Sequence, residues 1–419
     1  MSKPLLLFQA PVATRSGYGD HSRDILKSLF EIDKYDVKVV PTRWGNTPQN
    51  VLDEDTDFNR RVLSSIVTRL TKQPDIFIQV TVADEFKPVG KFNIGITAGV
   101  ETTVAPKDFI EGCNRMNVVI TPSEFTKDVL QKTKFQEADQ RTKQVIREIK
   151  LERPVNVLLE GVDIEVFNGK KGDSILESVD TDFNFLFVGH WLSGDIGQDR
   201  KDVGMMIKTF CTVFKGLEKD KQPGLILKTS SAGFSVMERE RLVKKLKGVL
   251  DPYGDKCPPV YLVFGDLTQE EMNSLYNDEK VKAMLMFTKG EGYGRPLAEF
   301  ATTGKPIIVS DWSGHKDFLP EKYTHYLEGE LTEVHQSAQN KFLIQGSKWF
   351  TVNYSSAASV INQVFTRYYE ACKKSERLQH NIRKNFSMNN MTENLDKILS
   401  SYIRVPEKVE LKLPQIKKL

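Results

Sequence analysis

Short apolar runs separated by amphipathic stretches recur twice along this chain, and that alternation restricts its fold more than any other feature. Parallel strands must be joined by crossovers long enough to cover a face of the sheet, so a repeated strand-then-helix pattern implies βα units. In the first series the spacing predicts strands at 5–9, 37–41, 76–80, 92–97 and 118–121, with helices at 21–30 and 62–70 and, capped by Ser123, at 124–130. A second series follows 155–160. It predicts strands at 183–188, 224–228, 260–264, 281–287 and 306–310, with helices at 203–214, 236–250, 269–276 and 296–303. Long helices are expected at 356–373 and 387–403, and the tail from Pro406 is expected to be peripheral. The charged stretch 127–153 reads as a solvated helix, with a basic surface patch as the alternative. At 419 residues the chain exceeds what one core serves, so two doubly wound α/β domains of about 200 residues each, with a cleft between them, are expected.

Acids nearly match bases, for a net charge of +3, so a phosphate-rich partner is permitted but not demanded. No apolar run approaches the length of a membrane span, and the start MSKPLLLF lacks a signal-peptide cleavage region, so a cytoplasmic location is expected. Cys113, Cys211, Cys257 and Cys372 are scattered singly, without ligand spacing to histidines, and read as small hydrophobes. Two D-T-D tripeptides, at 55–57 and 180–182, could pair carboxylates on a metal, but their polar surroundings favour turn chemistry; no metal is expected.

The run EGYGRPLAE at 291–299 places two carboxylates eight positions apart between the apolar segments 281–287 and 306–310. Such a strand, glycine turn and helix junction is where α/β sheets bind ligands, and the free N–H groups of the helix suit a phosphate. Gly290, Gly292 and Gly294 would let backbone approach a ligand. A helix starting near Pro296 would put Glu299 in its first turn facing the cleft, with Glu291 on the loop before it. Alternatively, Glu291 is a solvated loop acid and Glu299 merely compensates a helix dipole.

The continuation discriminates. The stretch 291–319, EGYGRPLAEFATTGKPIIVSDWSGHKDFL, closely resembles the nucleotide-sugar site of retaining glycosyltransferases of family four, with its E, seven residues, E, then A-x-G-K-P-V-I and a small-residue loop. The resemblance implies the GT-B fold: two Rossmann-like domains facing across a cleft, with the last helix crossing back to the first. On that reading residues 1–165 plus 387–419 form an acceptor-side domain and 166–386 the donor-binding domain, with a hinge at 162–167, where GVDIEVF is similar to the family's G-V-D-x-x-x-F. It further implies that Glu299 holds ribose hydroxyls, that Glu291 holds the 3-hydroxyl of the donor sugar, and that Gly292, Tyr293 and Gly294 make backbone contacts.

After the first predicted strand come Gly17 and Gly19, but a dinucleotide fingerprint would need a third glycine at Ser22, which disfavours hydride transfer. The resemblance reads these glycines as the loop facing the donor; a plain tight turn is the alternative. The segment 187–204 resembles the family's strand, loop and helix whose basic residues grip the donor diphosphate. Its first basic position is His190, which leaves Arg200 and Lys201 as the expected clamps and Lys228, ending its strand, as a further one. In 97–103, TAGVETT, Glu101 stands where many relatives place a histidine or acid beside the transferred sugar; a loop acid satisfied by its neighbours is the alternative.

These readings imply sugar transfer from a nucleoside diphosphate sugar, UDP-linked, without a cofactor. The combination of 9–25 with 189–204 looks like a phage-encoded branch, which would make hydroxymethylcytosine in DNA an acceptor, met through basic stretches at 141–153 and 239–247. A glycan or small-molecule acceptor, an epimerase on the same fold, and a non-catalytic nucleotide-sugar-binding module are the alternatives.

Overall fold

The computed structural model describes residues 3–142, 144–230 and 235–404; the tail from Pro406 and the end of the expected 387–419 segment lie outside the described residues. In the first lobe β1 (Leu5–Ala10), α1 (Gly17–Ile32), β2 (Asp36–Pro41), α2 (Asp57–Ser65), β3 (Ile76–Val80), β4 (Phe92–Ile96), α3 (Lys107–Asn114), β5 (Val118–Thr121) and α4 (Glu124–Lys132) follow in order. A hairpin of β6 (Lys134–Ala138) and β7 (Val145–Lys150) then leads to β8 (Val155–Val157). Six parallel strands form one sheet in the order β2-β1-β3-β4-β5-β8.

The second lobe runs β9 (Asn184–Val188), α5 (Val203–Phe214), β10 (Gly224–Lys228), α6 (Val236–Leu250), β11 (Val260–Val263), α7 (Gln269–Asn277), β12 (Val281–Met286), α8 (Arg295–Ala301), β13 (Ile307–Ser310) and β14 (His325–Leu327). Its six parallel strands are ordered β11-β10-β9-β12-β13-β14. In each sheet the winding reverses beside the first strand, between β1 and β3 and between β9 and β12, and a crevice opens there at the carboxyl ends. Both crevices face the same cleft.

A side hairpin of β15 (Gly329–Glu333) and β16 (Lys348–Val352), then α9 (Tyr354–Thr366), α10 (Tyr368–Asn385) and α11 (Met388–Tyr402), complete the described chain. α11 returns to the first lobe, where Met388, Met391, Leu395 and Leu399 enter one core with Leu6, Phe8, Ile25 and Leu29. The two crossings between lobes lie side by side, because Val162 bridges Ser387 in parallel. The expected GT-B architecture, with its final helix crossing back, is therefore present.

Three expectations change. The stretch 127–153 is not one solvated helix: only its start continues α4, and the rest is the β6–β7 hairpin. Its alternation buries Ile149 while Arg147 pairs with Glu137 across the ladder and with Glu111 on α3, a period of two hidden by charge on both faces. The helix expected at 62–70 starts and ends earlier, because Thr56 caps it by accepting from the Asn59 N–H. That cap is the middle of the first D-T-D tripeptide, and both flanking acids pair with Arg60. The helix expected at 356–373 breaks at Arg367, whose φ of −120° and ψ of 45° leave the helical region. α3, β14, β15 and β16 were not foreseen.

Candidate active site

The inter-lobe cleft has a volume of about 650 Å³. The first lobe lines it with Arg15, Gly17, Asp20 and Asp24, at the start of α1, and the second with His190, Arg200, Lys201, Lys228, Arg295 and Glu299. Ser16 caps α1 by accepting from the Gly19 N–H, so this helix begins at the cleft wall. Of the two glycines there, Gly17 lines the cleft with open space around its Cα, whereas a Cβ on Gly19 would strike the Thr14 carbonyl.

Two ionic clusters organise the cleft. In the first, Arg200 and Lys201, adjacent residues just before α5, meet Glu291 of the second lobe and Glu101 of the first. Arg200 Nε lies 2.9 Å from Glu101 and Nη1 lies 3.3 Å from Glu291, while Lys201 Nζ bonds the other Glu291 oxygen. The Thr288 hydroxyl donates to Glu291 at 2.6 Å. Burial alone would raise Glu291, but Lys201, Arg200 and Thr288 outweigh it and hold the carboxyl at about 2. Glu101 is raised by burial against the pull of Arg200. Two cations and two acids balance, so the cluster adds little net charge. Arg200 and Lys201 face the cleft; Glu101 and Glu291 stand behind them and do not line it.

The second cluster is unbalanced. Arg295, at the start of α8, contacts Asp24 at 2.5 Å, Glu160 at 3.5 Å and Glu299 at 2.9 Å, one guanidinium among three carboxylates. Tyr276 of α7 donates its hydroxyl to the second Glu299 oxygen at 3.1 Å. Burial raises Glu299 to about 7, offset in part by Arg295 and reinforced by Asp20. Burial also raises Glu160 to about 7, with Arg295 opposing and Asp20 adding. His21 is held neutral, lowered to about 4 by burial, with its Nδ1 3.8 Å from Glu160.

His190 accepts or donates at Nδ1 with the Ser230 hydroxyl, 2.9 Å away; the cleft walls, then Lys201, Arg200 and Lys228, lower its pKa to about 4. Lys228 Nζ donates to the Gly265 carbonyl at 2.7 Å.

The glycine loop behaves differently from its expected approach to a ligand. Cβ atoms on Gly290 and Gly292 would strike the Glu101 and Ala98 carbonyls of the facing lobe, so these glycines permit lobe-to-lobe contact. The Gly292 carbonyl accepts from Ser123 at 2.5 Å, and Tyr293 donates its hydroxyl to the Glu160 carbonyl at 2.7 Å. Gly294 is the N-cap of α8 at φ 105°, a backbone region that favours glycine. Gly292, Tyr293 and Gly294 thus form the floor joint of the cleft and do not line it.

Asp24, Glu160 and Arg295 were missed as site residues. Arg295 lay inside the quoted motif, between Gly294 and Pro296, and Asp20 with Asp24 sit four apart on one face of α1. Among the described residues no group of three or more histidines, cysteines and acids could hold a metal ion, and no helix is long and apolar enough to cross a membrane.

The sequence matches no family model and no curated protein. Solved structures do resemble the fold. A glycosyltransferase from Rickettsia africae superposes with a TM-score of 0.62 at 13% identity, covering 96% of this chain and 99% of that one. Sucrose-phosphate synthase from Thermosynechococcus elongatus gives 0.61 at 13% identity, with the same coverage. Anabaena HepE in complex with UDP gives 0.57 at 12% identity, covering 95% and 100%. The chain therefore has the GT-B fold over nearly its whole length.

Proposed function

We propose that this protein transfers a sugar from a UDP-linked nucleoside diphosphate sugar to an acceptor hydroxyl, with retention at the anomeric carbon. One observation carries the reading: a single cleft at the switch points of both sheets holds adjacent cations, Arg200 and Lys201, on the same wall as the carboxylate Glu299. That arrangement of charge suits the two ends of a nucleoside diphosphate, phosphate toward the cations and ribose hydroxyls toward the acid. The UDP bound to HepE, a structure of the same fold, supports it.

When the anomeric carbon–oxygen bond breaks, negative charge collects on the departing diphosphate, and cations already in place stabilise that charge without reorganising. Among the described residues Arg200 engages Glu101, Gly290 and Glu291 through Nε and Nη1, which leaves Nη2 for a phosphate oxygen. The new bond forms to the acceptor oxygen, and its proton passes to the departing phosphate oxygen. Glu291 stays ionised at about 2 and stands behind Arg200 and Lys201, so its part is to hold these two cations in place rather than to donate a proton. Contact between the lobes excludes competing water.

Replacing Glu299 with Ala tests the assignment: donor kcat/KM should fall about 100-fold or more. Unaltered turnover and unaltered UDP binding would refute it, and inversion in the product would refute retention. For the acceptor, the phage resemblance favours hydroxymethylcytosine in DNA; of the stretch 141–153, Arg147 is paired with Glu137 and Glu111 and Lys150 with Glu148, which takes two cations from a phosphate backbone and keeps a glycan or small acceptor as the second reading. Transfer to DNA would weaken steeply between 50 and 200 mM salt, whereas transfer to a small acceptor would not.

A further inference from the structure

Arg295 spans the lobes. Its Nη1 bonds Asp24 on α1 of the first lobe, and its Nε bonds Glu299 on its own helix. The structure gives no hydrogen bond between Asp24 and Glu299 themselves, so the guanidinium is their link. Tyr276 holds the other Glu299 oxygen, so both carboxylate oxygens are held while Glu299 lines the cleft. All of this lies away from the diphosphate clamps, on the opposite acid of the motif.

We propose that Arg295 is a positioning residue that couples lobe closure to the donor site: Asp24 fixes the guanidinium only when the lobes meet, and the fixed guanidinium orients Glu299 for the ribose hydroxyls. The inference rests on the donor reading above and adds to it a dependence on a residue of the other lobe. Arg is suited to the task, because its planar fork presents separate edges to two carboxylates, which a lysine's point charge cannot do. With the lobes apart, Arg295 keeps Glu299 and loses Asp24, so Glu299 gains a mobile partner and donor binding weakens.

The groups around this link also make it sensitive to pH. Asp20, His21 and Asp24 face it from α1, Glu160 from the inter-lobe crossing, Tyr293 from the glycine loop and Tyr276 from α7. Glu160 and Glu299 both sit at about 7, so the link should tighten as they ionise.

A double-mutant cycle on nucleotide affinity tests the coupling. Titration calorimetry of UDP, ADP, GDP and dTDP against the intact protein selects the tightest binder, which is then titrated into Asp24→Asn, Glu299→Gln and the double variant. Asp24→Asn should weaken binding about 10-fold in the parent and less than about 2-fold once Glu299 is Gln. Arg295→Lys should reproduce the loss, and the parent's affinity should rise from pH 6 to 8 more steeply than that of Glu299→Gln, in which only Glu160 still titrates beside Arg295. Thermal melts of each variant identify any loss of fold, which the cycle cancels because Asp24→Asn appears in both arms. If the two penalties simply multiply, or Asp24→Asn binds like the parent, the coupling is wrong although the donor reading stands. If no nucleoside diphosphate binds the parent, the donor reading itself falls.

Discussion

The two ionic clusters that flank the cleft share burial, an arginine and a member of the same motif, yet they settle into opposite states. Around Arg200 and Lys201 two cations face two acids, and Glu291 is driven down to about 2. Around Arg295 one cation faces three acids, and Glu160 and Glu299 rise to about 7. Burial penalises every one of these carboxylates; what differs is whether enough positive charge stands close by to repay it. The balanced cluster therefore stays ionised at physiological pH, and the unbalanced one takes up protons there. On the proposed function, the first property suits the cations that meet a diphosphate, and the second is tolerated where neutral ribose hydroxyls bind.

The largest expected effect comes from unbalancing the balanced cluster. Lys201→Met leaves Glu291 buried with half its charge partners and should cost about 3–5 kcal/mol in urea unfolding, together with most nucleotide affinity. A loss under about 1 kcal/mol would mean the two clusters are not energetically distinct.

The pH response comes next. Below pH 4.5 both Glu299 and Glu160 are protonated in folded and unfolded chains alike, and the stability present there is lost as pH rises through about 7. Glu291 acts in the other direction: its contribution is present above pH 4.5 and lost as pH falls toward 2. Between pH 5 and 8 the parent should therefore lose on the order of 1–3 kcal/mol relative to Glu299→Gln, measured by denaturant unfolding at each pH. A flat difference across that window would remove the contrast between the clusters.

A smaller effect sharpens the comparison from the backbone. Gly292→Ala would press a methyl group on the Ala98 carbonyl in the seam that brings Glu101 to Arg200, and should cost about 1–3 kcal/mol. Gly17→Ala, with open space around it, should change stability by less than about 0.5 kcal/mol. Equal melting shifts for the two variants would show that the seam yields freely. The smallest effect is at the cleft mouth, where Arg15 reaches Asp266 across the lobes at 2.9 Å and is partly solvated. Arg15→Ala should cost within about 1 kcal/mol, with faster nucleotide release in stopped-flow.

Much of the fold was legible because strands and helices leave a period in the apolar residues. The core strand Ile76–Val80 and the helix Val203–Phe214 appear at the boundaries their patterns predict. The hairpin over Lys134–Ala138 and Val145–Lys150 was misread because charges occupy both of its faces, and only Ile149 marks the buried side. β14 escaped notice because three residues are too few for a period to show. In the site, two motifs identified Arg200 and Lys201, and Glu291 and Glu299, because Arg200, Lys201 and Glu291 lie in βα loops and Glu299 in the short helix after one, at the carboxyl ends of the neighbouring strands β9 and β12.

The order of apolar and polar residues by itself determined that this chain forms two parallel sheets with helices on their faces, because period and turn chemistry act over a few residues at a time. Which charge faces which was decided only by tertiary structure. Asp24, Glu160 and Arg295 are far apart in sequence, and nothing local distinguishes their charges from solvated ones. They become a site when the lobes meet, since burial and proximity, not residue type, determine whether a carboxylate ends at about 2 or about 7.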